Sequence, residues 1–323
     1  MALRRRTAGL LAGAWACTTA LAVTAAVRPR PASQVATLDV TSVTRVVEVY
    51  AIVTDGKGRL VTNLGRERFE LRENGVPQAV EYFAHETDAP LSLGLLVDTS
   101  ASQAGILPAE RDEARAFLQG VLAPADEAFV LRFDRELALL QPFTSDRALL
   151  TRAIDAVRAD AEPAVAPGEA GPRRGTRLLD AIRYASQQLM GARRGRKVLV
   201  LLTDGEDQGS LASRRDAQEA AERAEAILYA VIAADPLFYW ARGRDFRGEG
   251  RLAELVETTG GRLVRPQGQS GLAAIAAELR AQYRLGYAPR DARCDGSFRR
   301  IEVRLRGVRH RVRARHGYFA TAE

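Results

Sequence analysis

Ser92-Leu-Gly-Leu-Leu-Val-Asp98-Thr-Ser100-Ala-Ser102 is an apolar run that ends in an acid and two hydroxyls at alternate positions. In an extended turn, side chains two residues apart leave the same side of the backbone. Asp98, Ser100 and Ser102 can therefore converge on a cation beyond the carboxyl end of a strand. A set made only of oxygens selects a hard ion such as Mg²⁺. Taken alone, the segment equally suits a helix or turn cap, since Asp and Ser favour such positions.

Two later segments add to it. Gly175-Thr176 follows a Pro/Gly-rich stretch and precedes Leu178, Leu179, Ile182 and Leu189, which have helical spacing, so the Thr176 hydroxyl is expected near a helix start. Lys197-Val-Leu-Val-Leu-Leu-Thr203-Asp204-Gly205 reads as a buried strand that ends in an acid and a turn glycine. Together, Asp98, Ser100, Ser102, Thr176 and Asp204 closely resemble the metal-ion-dependent adhesion site of the von Willebrand factor A (VWA) domain, and all five positions match.

The flanks also resemble the VWA-related family abundant in acidobacteria. Val47-Glu-Val-Tyr50 through Asp55-Gly56, Phe69-Glu-Leu71 with Glu73-Asn-Gly75, Tyr283-Arg-Leu-Gly286-Tyr287 and Arg313-Ala-Arg-His-Gly317-Tyr318 carry that likeness, which spans roughly Val43 to Ala320. The resemblance implies that Ser100, Ser102 and Thr176 touch the metal through neutral hydroxyls, while Asp98 and Asp204 act largely through water. Such an ion, Mg²⁺ or Mn²⁺, keeps enough electrophilicity to take an exposed Asp or Glu of a partner protein as its last ligand.

Between Leu91 and about Gln282 strands alternate with helices, which predicts an α/β unit with a doubly wound, mainly parallel sheet. Strands are expected at 92–98, 127–133, 136–140, 197–203, 227–233 and 262–265. Helices are expected near 107–121, 146–158, 177–190, 213–226, 250–258 and 270–281. The tight Asp134-Arg135 connection marks one of the second and third strands as an antiparallel edge. Before this unit, β runs appear at 43–54, 60–64, 69–73 and 76–84, and after it at 283–287, 298–306 and 308–316. Neither flanking segment buries enough surface to stand alone. The expected organisation is therefore a VWA unit at 89–282 inserted into a smaller β-sandwich-like domain built from segments 43–88 and 283–320.

The first 27 residues read as an export signal or retained anchor. Arg4, Arg5 and Arg6 precede an uncharged stretch from Thr7 to Val27, about 20 residues and thus long enough to cross a bilayer. Cleavage after Ala22 or Ala26 fits; retention makes 7–27 a membrane anchor. Either way the rest is expected outside the cytoplasm: periplasmic, secreted or anchored facing outward. Residues 28–42 are a Pro/Arg/Ser linker. Cys17 lies in the leader and Cys294 is the only other cysteine, so the exported part has no internal disulfide. The formal charge of +7 falls to about +4 without the three leader arginines, a mild bias and no nucleic-acid signature.

Catalytic readings fare poorly. Leu96-Val-Asp98-Thr-Ser100 resembles the turn of an aspartic protease, but such a hydrolase needs a second facing aspartate, and Asp204 is followed by glycine within an α/β alternation. A phosphotransfer nucleophile at Asp98 would want a carboxylate where Ser100 stands. Neither a phosphate-binding Gly-x-x-x-x-Gly-Lys loop nor a Gly-x-Ser-x-Gly elbow occurs. His85, His310 and His316 neighbour no nucleophile motif. The expectation is a non-enzymatic adhesion or assembly module; the alternative is an envelope scaffold whose metal only stabilises the loops. Two further features are open. Arg299, Arg300, Arg304, Arg306, Arg309, Arg311, Arg313 and Arg315 form a stripe that suits either a solvated strand face or a polyanion. Leu237-Phe-Tyr-Trp240 follows a strand's carboxyl end and suits either core filling or a ligand contact. Glu206 and Asp207 read as loop acids or as outer groups of the metal site.

Overall fold

All eight residues of Leu91–Asp98 are buried, and this strand is central to a six-stranded sheet. The computed structural model describes residues 46–85, 89–159, 175–233, 248–266 and 270–321. In chain order the elements are β1 (Val47–Thr54), β2 (Phe69–Glu73), β3 (Val76–Gln78), β4 (Tyr82–His85), β5 (Leu91–Asp98), α1 (Leu107–Val121), β6 (Glu127–Phe133), β7 (Leu137–Thr144) and α2 (Arg147–Asp155). There follow α3 (Leu178–Tyr184, continuing as a π-helical turn over Ala185–Met190), β8 (Arg196–Thr203), α4 (Arg214–Ala224), β9 (Ile227–Ile232), α5 (Gly248–Thr258), β10 (Leu263–Val264) and α6 (Gly271–Arg280). The chain closes with β11 (Tyr283–Tyr287), β12 (Phe298–Leu305), β13 (Arg311–Ala314) and β14 (Gly317–Phe319).

The sheet order is β10-β9-β8-β5-β6-β7. Every pair is parallel except β6 with β7, the antiparallel edge that the Asp134-Arg135 turn foretold. Helices cover both faces, which is why β5 and β8 carry the unbroken apolar runs 93–97 and 198–202 rather than alternating. Leu93, Leu95 and Val97 pack toward Phe117, Leu118 and Ile275, while Leu96 faces Ile182, Ala221 and Leu255 among others. Gly94 leaves room for a neighbour on that second face: a Cβ there would stand 2.3 Å from Cζ of Phe129.

The flanking segments form two antiparallel sheets, β13-β1-β11-β4 and β14-β12-β2-β3, and each sheet mixes strands from before and after the α/β unit. Val49 lies opposite Leu285, and Leu71 opposite Val303. Their inner faces share one core around Val49, Leu71, Tyr283, Leu285, Tyr287 and Ile301. Glu73 is 3% exposed inside it and accepts hydrogen bonds from the Tyr287 hydroxyl (2.7 Å), the Tyr318 hydroxyl (2.9 Å) and Arg299 (3.2 Å).

Four sequence expectations need correction. The β run expected over 76–84 is two strands, β3 and β4, which lie in different sheets. Leu60–Leu64 forms no strand; only a bridge between Thr54 and Leu60 remains, because Val61 spends its N–H on the carbonyl of Val53 in a local turn. The strand expected over 308–316 is confined to β13, and a further strand, β14, follows it, since Ile301 takes the carbonyl of His316 and the chain changes sheets there. The arginine stripe is no uniform wet face. Arg299 is 2% exposed and paired with Glu73, while Arg304, Arg306, Arg313 and Arg315 pair with Glu302, Glu70, Glu278 and Glu225.

The leader, the linker, the Leu237–Trp240 cluster and most of the Pro/Gly-rich stretch before Thr176 lie outside the described residues. Among the described residues no helix is long and apolar enough to cross a membrane.

Candidate metal centre

The carboxyl ends of β5 and β8 meet through side chains. Asp98 accepts the Thr203 hydroxyl on Oδ2 at 2.7 Å and the Ser100 N–H on Oδ1 at 2.9 Å. The Ser102 hydroxyl donates to Oδ2 of Asp204 at 2.6 Å, and the Ser100 and Ser102 Oγ atoms are 3.0 Å apart. Asp98, Ser100, Ser102 and Asp204 thus form one buried cluster, none more than 9% exposed. Local geometry follows from the residue types: Gly205 turns at φ +82°, and its N–H bonds to the Thr203 hydroxyl.

Thr176 is brought to the same end of the sheet by its backbone. Its carbonyl accepts the Gln208 N–H at 2.9 Å, and the next residue, Arg177, donates its N–H to the carbonyl of Asp134 at 2.8 Å. Asp134 in turn accepts the Thr99 hydroxyl at 2.7 Å. Thr176 is 7% exposed, and these backbone bonds tie its segment to the turn beside Thr99 and to the loop after Asp204. The structure therefore links four of the five residues directly and holds the fifth through the Asp134 turn and the loop after Asp204.

Asp134 and Asp180 are functional supports that sequence reading missed. Asp134 is 3% exposed and joins Thr99, Glu136 and Arg132. Asp180, also 3% exposed, accepts the Leu211 and Ala212 N–H groups at 3.0 and 2.9 Å and Nε of Arg177 at 2.8 Å. Those backbone bonds depress the Asp180 carboxyl pKa even though burial acts against them. The position of Asp134 beside a turn, and the acid of Asp180 on an otherwise apolar helix face, were the only sequence signals. Glu206 and Asp207 brace loops: Glu206 accepts the Gly248 N–H at 2.7 Å, and Asp207 accepts the Leu179 N–H and the Ser210 hydroxyl.

Burial raises the Asp98 carboxyl well above the ordinary range, and the neighbouring Asp204 carboxylate raises it further, against the pull of hydrogen bonds from Ser100 and Thr203. Two acids confined with three hydroxyls make an oxygen-rich, charge-poor donor set, which suits a hard divalent cation. Among the described residues no three His, Cys, Asp or Glu side chains gather closely enough to hold an ion by themselves, so the hydroxyls are essential to any such site.

A family model described as "von Willebrand factor type A domain" matches residues 93–206, the segment that holds all five side chains. The chain carries a VWA domain. VWA domains often mediate protein–protein interactions. Solved structures similar to this chain include BatB from Bacteroides thetaiotaomicron, at 17% identity over 58% of this chain and 97% of that one, with a TM-score of 0.44. An aerotolerance-related membrane protein from Bacteroides fragilis is similar at 17% identity over 58% and 98%, with a TM-score of 0.43. The vWF domain of the type V pili tip protein Mfa5 from Porphyromonas gingivalis is similar at 21% identity over 37% and 39%, with a TM-score of 0.30. No curated protein sequence matches the chain.

Proposed function

We propose that the protein is an exported, non-enzymatic adhesion or assembly module. Its VWA domain holds Mg²⁺, or Mn²⁺ in its place, through Ser100, Ser102 and Thr176, with Asp98 and Asp204 acting across water, and the ion takes an exposed Asp or Glu of a partner protein as a ligand. The observation that carries this reading is the Thr203–Asp98 and Ser100–Ser102–Asp204 hydrogen-bonded cluster, which gathers hydroxyls and acids from two strand ends into one buried point. Neutral hydroxyls leave the ion electrophilic, and an incoming carboxylate supplies the charge that the site itself withholds. Export is by a cleaved leader or by retention of 7–27 as a membrane anchor.

The test passes an envelope extract over wild type and Asp98→Ala, each with Mg²⁺ and with chelator. A partner retained by wild type in Mg²⁺ and lost in the other three arms is expected. Retention that ignores both the substitution and the chelator would sink the reading. The scaffold alternative draws on the loop bracing by Asp134 and Asp180. On that account Ser100→Ala lowers the melting temperature and leaves partner retention intact.

A further inference from the structure

Glu110 stands in the first turn of α1, beyond the loop that carries Ser100 and Ser102, and is 8% exposed. Neither of its carboxylate oxygens reaches solvent or a hydrogen-bond partner. The charged side chains that act on it are Asp98, Glu113 and Asp204, all acidic. Glu113 has its own partner, the Ser270 hydroxyl at 2.8 Å. Gln103, between Ser102 and α1, repeats the condition: it is fully buried and both its amide atoms lack partners.

A shielded carboxylate with no donor and only like charges around it is strongly unfavourable, and burying it with a cation nearby removes the conflict. The residues of α1 that merely pack, Ala114, Phe117 and Leu118, are apolar, so the core on this helix does not call for an acid at 110. No three acids among the described residues converge tightly enough to ligate one ion, so Glu110 is not offered as a direct ligand.

We propose that Glu110 is a third acidic member of the metal centre, facing the ion across ordered water, and that it raises the affinity of the centre for divalent cations. The inference rests on the reading that Asp98, Ser100, Ser102, Thr176 and Asp204 hold Mg²⁺. Glu110 is a positioning and charge-balancing residue: its oxygens and the Gln103 amide hold the water between α1 and the ion. Water ordered by a cation supplies the donors that both side chains lack.

The test titrates Mn²⁺ into the full-length protein by calorimetry for wild type, Glu110→Gln and Glu110→Asp, and measures each melting temperature in chelator. Outer residues of a metal site are worth about 10–100-fold in affinity, so Glu110→Gln is expected to bind Mn²⁺ about tenfold more weakly. In chelator the same variant melts at or above the wild-type temperature, because a neutral amide replaces a buried carboxyl that has no hydrogen-bond partner. Glu110→Asp keeps the charge and recovers part of the affinity. Glu110→Gln binding Mn²⁺ as tightly as wild type overturns the inference and leaves the metal reading standing. Equal loss of affinity in both variants, with lowered melting temperatures in chelator, marks a packing role and also overturns it. No Mn²⁺ uptake by wild type removes the metal reading itself, and Glu110 with it.

Discussion

Ser102→Ala is the sharpest probe of the centre, because Ser102 links Ser100 to Asp204. Without metal, the variant loses the 2.6 Å bond to a carboxylate, and a hydrogen bond to a charged group is worth about 1.5–3 kcal/mol net. Taking about 2 kcal/mol, and about 2–4 °C per kcal/mol for a unit of this size, the melting temperature in chelator should fall by about 4–8 °C. With Mg²⁺ the deficit should grow if Ser102 is the proposed inner ligand. At an Mg²⁺ concentration 100-fold above the wild-type Kd, binding adds about 2.7 kcal/mol; a tenfold weaker variant gains only about 1.4 kcal/mol at that concentration. The extra deficit is about 1.3 kcal/mol, or about 3–5 °C. Differential scanning fluorimetry on both proteins in both buffers gives the four melting temperatures. If the deficit is the same with and without Mg²⁺, Ser102 only ties two loops together, and its role as a metal ligand is refuted.

Two further outcomes are expected. Burial, aided by Asp98, Glu113 and Asp204, holds the Glu110 carboxyl up at about 8, and Asp98 is raised as well. The folded state therefore binds more protons than the unfolded state between the ordinary carboxyl range near pH 4 and about pH 8, so these groups favour folding at the acid end and the benefit is lost as pH rises. Cation binding needs both acids ionised, so the Mg²⁺-induced rise in melting temperature should grow from pH 5 to pH 8; a shift that is flat or shrinking over that range contradicts the assignment. In the sandwich, Glu73→Ala takes from the buried Arg299 its buried carboxylate partner, leaving it Asp291 and the Arg293 carbonyl, and removes the acceptor of two tyrosine hydroxyls. Breaking a buried pair costs about 3–5 kcal/mol, whereas replacing both charges by apolar side chains is often neutral. Urea denaturation should show that loss for the single variant and its recovery in Glu73→Met with Arg299→Met; a loss below about 1 kcal/mol would make the pair incidental.

The parts of the fold legible in the sequence are those in which one strand decides its own fate. Leu91–Asp98 and Arg196–Thr203 are continuous apolar runs that end in an acid or a hydroxyl, so their burial, direction and functional ends could be read without knowing their neighbours. The helices from α1 to α6 were equally plain, because apolar spacing and caps such as Ser213 with Asp216 are local. What escaped depended on tertiary pairing. Arg299 alternates along β12 like an exposed strand residue, yet β12 crosses Glu73 on the inner face of the sandwich. Asp134 looks like a turn residue, and its tie to Thr99 and to the backbone beside Thr176 exists only once β5, β6 and α3 are side by side. Glu110 resembles any acid in the first turn of a helix. Thr203 was in view as a strand end, but its bond to Asp98 needs β8 next to β5.

The way the sandwich and the α/β unit are joined bears directly on what the metal end can meet. Pro90 leads into β5 and Gln282 leads out of α6, and Arg196 at the start of β8 gathers both: its N–H bonds to the Pro90 carbonyl, and its guanidinium to the Leu279 carbonyl at 2.6 Å and Oε1 of Gln282 at 3.2 Å. Other contacts with the sandwich fall on the carboxyl ends of helices, where Arg315 meets Glu225 and His316 donates its N–H to the Thr258 carbonyl. In a parallel sheet with helical crossovers, helix ends and strand beginnings share one side. The sandwich therefore occupies the side where β5 and β8 begin, and Asp98 and Thr203 lie at the other, about 25 Å away along eight residues of strand. The sandwich therefore does not cover the end of the sheet at which Asp98 and Asp204 lie buried. A change in the sandwich reaches that face only through the length of the buried strands or the helices beside them. This polarity leaves the carboxyl ends of β5 and β8 free of the sandwich, which the proposed binding of a partner at the cluster requires.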